Sequence, residues 1–305
     1  MSETIKDILA EENVPPNARV TSVCDAISAR HPNRVQAFMY YGSSLRDLDD
    51  AEKMLDFYVV VDSYRKTHKN PLRAVLNRLI PPAVYYYEQT DENGVLSSCK
   101  YSTISIAEFE KRCGPHALLS MVWGRFCQPS VMLFPKDDVV AERLMASRET
   151  AVKHMAAQIA PLIEEPVTST EFWAKGFYES YRTELRPESS EGRAAEIVVR
   201  YGERYKRLTT ALYGKPDADG FYILPNIKSR RTKTKWFLRR LFGKPMTAIR
   251  VINSAATFEG GLDYVLRKLK NHSGVTIDPN PFQRKHPVIC SPVLGWKLWR
   301  KGAFN

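Results

Sequence analysis

The chain has 305 residues, of which 44% are hydrophobic and 26% charged, and a net charge of +11. That composition is ordinary for a globular protein and excludes a wholly disordered or collagen-like chain. Its longest apolar runs, Phe57–Val61 and Ala83–Tyr87, fall far short of the roughly 20 residues needed to cross a bilayer.

The charge is uneven. Lys228 to Asn305 carries 17 Lys and Arg against three acids, a balance of +14, while the rest of the chain stands at −3. Such asymmetry points to a polyanionic partner, either nucleic acid or an anionic membrane surface. The first twelve residues are acidic and amphipathic, with Glu3, Asp7, Glu11 and Glu12. They match neither a secretory signal nor an Arg-rich presequence, so a cytoplasmic location is expected. The five cysteines are odd in number, widely spaced and without a CxxC pair, which predicts buried free thiols and no zinc site or disulfide framework.

In chain order, a leading helix, a Pro15-Pro16 turn and a second helix over about 19–30 precede a short apolar strand, Val35–Tyr41. Gly42-Ser43-Ser44 follows it, then a polar spacer and a β-branched, aromatic strand over 55–62. A helix over 70–79 ends at Pro81-Pro82, and strands at 83–88 and 99–104 flank the turn signal Asp91-Glu92-Asn93-Gly94. Residues 106–158 read as mostly helical, with breaks near Gly114-Pro115 and Pro135, and 166–214 as two further helices. The basic final part offers short helices at 232–242, 259–270 and 293–301.

The segment Phe38 to Asp62 carries the chemistry. A strand ends in Gly42-Ser43, and after a spacer a second strand opens with Asp56. A Gly-Ser turn lets backbone N–H groups and a hydroxyl approach a triphosphate, and a carboxylate on the neighbouring strand can hold Mg2+ against it. This is the order of a nucleotidyltransferase core. The plain alternative is a turn serine and a strand-edge aspartate, but an acid between Leu55 and Phe57 is costly to bury without a purpose. Tyr58 stands where such cores commonly place a second acid. Asp62 shares a face with Asp56 but lies about 20 Å along the strand, too far for one ion. Glu88 is the better candidate second ligand, provided its strand lies beside the second.

Tyr41-Gly42-Ser43-Ser44 followed by Met54-Leu55-Asp56-Phe57 resembles the mitochondrial-type phosphatidate cytidylyltransferases, the CDP-diacylglycerol synthases of the translocator-maintenance family. Further similar elements follow in order: Val84–Tyr87, Lys100–Ser105, Trp123–Pro129, the Tyr181–Arg186 segment with Glu184 in place of an aspartate, and Ala194–Tyr213. Ser44 replaces a second glycine, and the likeness fades beyond about residue 225. The resemblance implies an α/β (α+β) chain with a nucleotidyltransferase-like mixed sheet over 1–130 and a helical domain over 131–225, while the composition of 226–305 reads as a basic, aromatic, membrane-facing region.

It also implies roles. Gly42, Ser43 and Ser44 would bind CTP, and Asp56 would hold Mg2+ with Glu88. Lys100, on the hairpin strand, would neutralise triphosphate charge during transfer, and Arg125 and Arg186 would clamp phosphate through their guanidinium forks. Phosphatidate would be the acceptor, reached from the inner face of the cell membrane by a peripheral protein with no stable nucleic-acid partner. By composition rather than resemblance, Trp236, Arg239, Arg240, Trp296 and Trp299, set among further basic residues, suit an interfacial face for anionic lipid, with nucleic-acid contact or packing against the core as the competing readings. A nucleotidyltransferase acting on RNA or another polar acceptor, and an inactive nucleotide-binding module, are the alternatives.

Overall fold

The computed structural model describes residues 3–46, 53–68, 71–90, 92, 94–163, 166–185, 189–225, 229–257, 262, 266, 269–270, 273–285 and 287–303. Thr4 and Asp7 close a capping box on helix α1 (Ile5–Ala10), and Asn17 caps α2 (Ala18–Arg30) by accepting from the Val20 N–H. Five strands follow at intervals: β1 (Val35–Tyr41), β2 (Leu55–Val61), β3 (Ala83–Thr90), β4 (Leu96–Ser105) and β5 (Ser130–Leu133). They form one mixed sheet in the order β3-β4-β2-β1-β5, in which β2 and β4 run parallel and every other pair is antiparallel.

Strand alternation sorts the sheet's residues onto two buried faces. Phe38, Tyr40, Phe57, Val59 and Tyr101 pack with Val20, Val23 and Ile27 of α2 and Ala74 of α5 (Pro71–Leu79). Met39, Tyr41, Tyr58, Val60 and Ile104 pack on the opposite face, under a helical layer. That layer comprises α6 (Ile106–Cys113), α7 (Trp123–Phe126), α8 (Asp138–Ile159), α9 (Ser169–Tyr181), α10 (Ser190–Arg200) and α11 (Gly202–Tyr213). The buried cluster is continuous from α1 through this sheet face to α11, so the hydrophobic core crosses residue 130 without a gap. Two short helices, α3 (Ser43–Arg46) and α4 (Tyr64–Thr67), follow β1 and β2.

Several sequence expectations change. The stretch 106–158 contains β5, a four-residue strand that pairs only with β1. It is too short to display an alternating pattern, and it borrows hydrogen bonds from the N-terminal arm: the Ser130 N–H donates to Glu12 and the Met132 N–H to Asn13 Oδ1. Residues 166–214 form three helices, because the chain turns between Arg200 and Gly202. The candidate at 232–242 is part of one long helix, α12 (Arg230–Thr257), which continues through Pro245. Most of the 259–270 candidate, and Asp91 and Asn93 of the turn, lie outside the described residues. The candidate at 293–301 belongs to α14 (Pro287–Arg300), which follows α13 (Pro281–Lys285) and packs against α12.

α12 belongs to the core. Trp236 is 1% exposed, stacks edge-on with Trp123, and donates its indole N–H to the Gln158 carbonyl at 3.1 Å. Burying a side chain of that size stabilises the fold by about 2–3 kcal/mol. Arg239, also buried, sits over the rings of Trp123 and Trp236 and donates to the Leu118 carbonyl at 2.8 Å. Arg240 pairs with the buried Glu179 at 2.9 Å. These three residues therefore face protein, which corrects their placement on a membrane-facing surface. Aromatic and basic residues alternate on one helix, and only packing decides which side is covered. All five cysteines are buried and free, as their spacing predicts.

Candidate active site

Gly42 ends β1 with φ +95°, a conformation that disfavours any residue with a Cβ. Asp56 is paired with Tyr41 across the β1–β2 ladder, and its carboxylate lies against the Gly42 Cα. A Cβ on Gly42 would stand 2.9 Å from Asp56 Oδ2. The glycine therefore does two things: it turns the chain, and it lets the carboxylate reach the backbone of the turn. Ser43 opens α3 immediately after, and Ser44 is 1% exposed.

Lys100 is the register partner of Asp56 on β4, one strand spacing or about 4.8 Å away. The row Tyr86, Lys100, Asp56, Tyr41 and Ser130 crosses all five strands in register and projects toward the helical layer. The sheet thus brings together Gly42, Ser43, Asp56 and Lys100, which are spread over 59 positions of sequence.

Glu88 does not join them. The hairpin places β3 at the sheet edge with β4 between it and β2, so Glu88 is two strands, roughly 10 Å, from Asp56. Its exposed carboxylate accepts from the Tyr86 hydroxyl. The condition that made it a second ligand, adjacency to β2, is not met, because a parallel β2–β4 pair requires a crossover that puts β3 on the far side. Asp62 pairs with Arg34 at 2.9 Å. Arg186 lies outside the described residues. Trp296 and Trp299 are each 59% exposed, with ring centroids 5.1 Å apart on α14.

Arg125 on α7 reaches down from the helical layer. Its Nη1 donates to the Tyr41 hydroxyl at 3.2 Å, and its guanidinium lies 4.9 Å from the Tyr41 ring centroid and 6.0 Å from that of Tyr58. Burial works against its charge, while the hydroxyls of Tyr41 and Tyr58 and the carboxylates of Glu184 and Asp56 offset that effect. Burial raises both phenols above their ordinary values, so they are neutral donors and acceptors at physiological pH. Tyr58, in the second-acid slot, is fully buried on the face of the sheet beneath the helical layer.

Sequence reasoning did not find Tyr41 as part of this site. Tyr41 precedes the glycine and could have been read as the floor of the turn. Among the described residues, no group of three His, Cys, Asp or Glu side chains could hold a metal by themselves. The donor set suits a hard divalent ion bound by one carboxylate, Asp56, and otherwise by ligand phosphates and water. No family model matches the chain, and no curated protein matches it in sequence. No helix among the described residues is long and apolar enough to cross a membrane.

Proposed function

We propose that the protein is a nucleotidyltransferase that moves the cytidylyl group of CTP to phosphatidate, with Mg2+, at an anionic membrane surface. The observation that carries this reading is the contact between Gly42 and Asp56. A left-handed glycine at the end of one strand meets a carboxylate at the start of its neighbour, with Lys100 beside it. In the reaction an oxygen of the phosphatidate monoester attacks the α-phosphorus of CTP, the bond to the β-phosphate breaks, and pyrophosphate leaves. Gly42 and Ser43 offer a close backbone approach for the triphosphate, and Asp56 would hold the ion that offsets its charge. Lys100 supplies a fixed cation for the negative charge that grows on the leaving group. No protein nucleophile is required. The lipid end of the reading is supported by the exposed Trp296 and Trp299 beside Lys297 and Arg300, and by the exposed Phe237, Leu241 and Phe242 on α12.

A panel of nucleoside triphosphates with phosphatidate in detergent, followed by pyrophosphate release and lipid product, tests the proposal. CTP-dependent formation of CDP-diacylglycerol is expected, and Asp56→Asn should lower it by orders of magnitude in a folded protein, because a neutral amide binds a hard cation poorly. Pyrophosphate release with RNA or a polar alcohol but not with phosphatidate would replace the acceptor. Silence with every triphosphate would leave a binding module.

A further inference from the structure

Helix α5 turns its apolar side outward. Leu72 is 64% exposed, Val75 52% and Leu79 67%. At about 100° per residue the three lie within roughly 60° of one another, a single stripe along the helix. Arg73 and Arg78, both exposed, flank the stripe on its two sides, and Arg65 and Lys66 are exposed on α4, the short helix packed against α5. The buried side of α5 holds only Ala74 and Asn77. Asn77 is 0% exposed and fixes how the helix is turned. Its Oδ1 accepts from the Ala83 N–H of β3 at 2.7 Å, and its Nδ2 donates to Thr103 Oγ1 of β4 at 3.0 Å and to His68 Nε2 at 2.9 Å. Rolling the helix over to cover its leucines would strand these groups in the core. The polar residue therefore points inward and the aliphatic ones point to solvent, the reverse of a helix that serves only the core.

Large aliphatic side chains grouped on one exposed face mark a contact surface. We infer that the outer face of α5 docks on an anionic lipid surface. Charge selects that occupant. From Ser63 to Tyr87 the chain carries Arg65, Lys66, Lys69, Arg73 and Arg78 and no acid. A second copy of the same face would set cation against cation. A bilayer instead takes the aliphatic tips into its headgroup layer and leaves the guanidiniums at the lipid phosphates. The exposed Trp296 and Trp299 beside Lys297 and Arg300 on α14 offer the same chemistry on a separate element. The α5 surface stands whether or not the protein transfers nucleotides. That it brings the enzyme to phosphatidate rests on the function proposed above.

The test measures co-sedimentation of the full chain with phosphatidylcholine vesicles, with and without phosphatidate. It compares the wild type with Leu72→Gln/Leu79→Gln and with Arg73→Gln/Arg78→Gln. All four positions are exposed, so both variants should melt with the wild type. The leucine variant should lose about tenfold in affinity for phosphatidate vesicles and keep its salt dependence, and the arginine variant should bind more weakly and with less salt sensitivity. Contact at α5 itself is read from Val75→Cys carrying an environment-sensitive dye, which labels selectively because the five native cysteines are buried. Its emission should shift to the blue on phosphatidate vesicles and be quenched by a nitroxide lipid within them. Either an unshifted dye or an unchanged vesicle affinity in the leucine variant overturns the inference. So does a wild-type dimer, seen by sedimentation velocity, that the leucine variant takes apart while vesicle affinity stays the same, since a second copy then covers the face. If vesicle binding depends on the leucines but no triphosphate yields a lipid product, the proposed function fails and the docking surface survives.

Discussion

Glu12 offers the sharpest test of how the helical layer is held over the sheet. Its side chain is 13% exposed and is shared by two arginines: Oε1 pairs with Arg204 Nε of α11 at 2.5 Å, and Oε2 pairs with Arg148 of α8, which is wholly buried. The same Oε2 accepts from the Ser130 N–H at the β5 edge at 3.1 Å. The arginines have further partners, Leu9 O for Arg148 and Cys127 O for Arg204, so they cannot swing out to water without breaking other bonds. Glu12→Gln keeps the shape and removes the charge. Removing one partner of a buried ion pair costs about 3–5 kcal/mol, and here two cations lose one anion, so about 4–5 kcal/mol is expected. Against a typical total stability of about 5–15 kcal/mol, the variant should unfold at far lower urea, with an unchanged slope. Replacing all three residues by Leu and Met should cost less than Glu12→Gln alone, because no stranded charge remains. The pH profile adds a second check. Burial alone would raise the Glu12 pKa, but the Arg204 and Arg148 guanidiniums outweigh it and hold it below its ordinary value. A depressed carboxylate stabilises the fold above its unfolded value of 4.5 and loses that contribution as the pH falls through the folded value. Wild type should therefore weaken in acid more steeply than Glu12→Gln. A cost below about 1 kcal/mol for Glu12→Gln would refute the view that both arginines depend on it.

Other expectations concern the site and the surface. Gly42→Ala adds left-handed strain of about 1–2 kcal/mol and a contact with the Asp56 carboxylate, so it should lower both stability and CTP affinity. Combining it with Asp56→Ala should cost less stability than the two changes summed, and strict additivity in that cycle would show that the two residues do not touch. Burial lowers His68 and His154 from 6.5 to about 4 each. A histidine depressed in the fold stabilises it fully above 6.5 and loses that support as the pH falls toward 4, so each should cost about 2 kcal/mol of stability between pH 7.5 and 5. Urea unfolding of His154→Leu at both pH values should show a smaller drop, and an equal drop would exclude the residue as a source. Lys297, Arg300 and Lys301 changed to Gln should leave weaker and less salt-sensitive binding to phosphatidate vesicles, while Trp296 and Trp299 changed to Ala should weaken binding at an unchanged salt slope. Binding to neutral vesicles as tight as to anionic ones would rule out the charge contribution.

The strand order could not be read from the sequence, and it decides the second metal ligand. A hairpin between β3 and β4 is legible from the turn signal at 91–94, but nothing local states which of the two strands meets β2. The crossover placed β4 there, bringing Lys100 beside Asp56 and carrying Glu88 away. β5 was invisible because four residues do not establish a period, and its edge is held by side chains more than a hundred positions earlier.

What the sequence by itself determined is local. Val35–Tyr41 and Leu55–Val61 read as strands because β-branched and aromatic residues fit a pleated, two-sided core. Gly42 reads as a turn because only glycine is at ease there, and Asp56 stood out as an acid in an apolar run. Those properties depend on neighbours along the chain. The tertiary structure decided everything that depends on neighbours across it. It seated the Asp56 carboxylate beside Gly42, turned Trp236 and Arg239 of a basic helix into the core, and brought Arg125 to the Tyr41 hydroxyl from 84 positions away. A charged helix carries the same composition whichever side is buried. The choice is made by the groove it meets, here the one beneath Trp123, and that groove exists only once the sheet and the helical layer have closed.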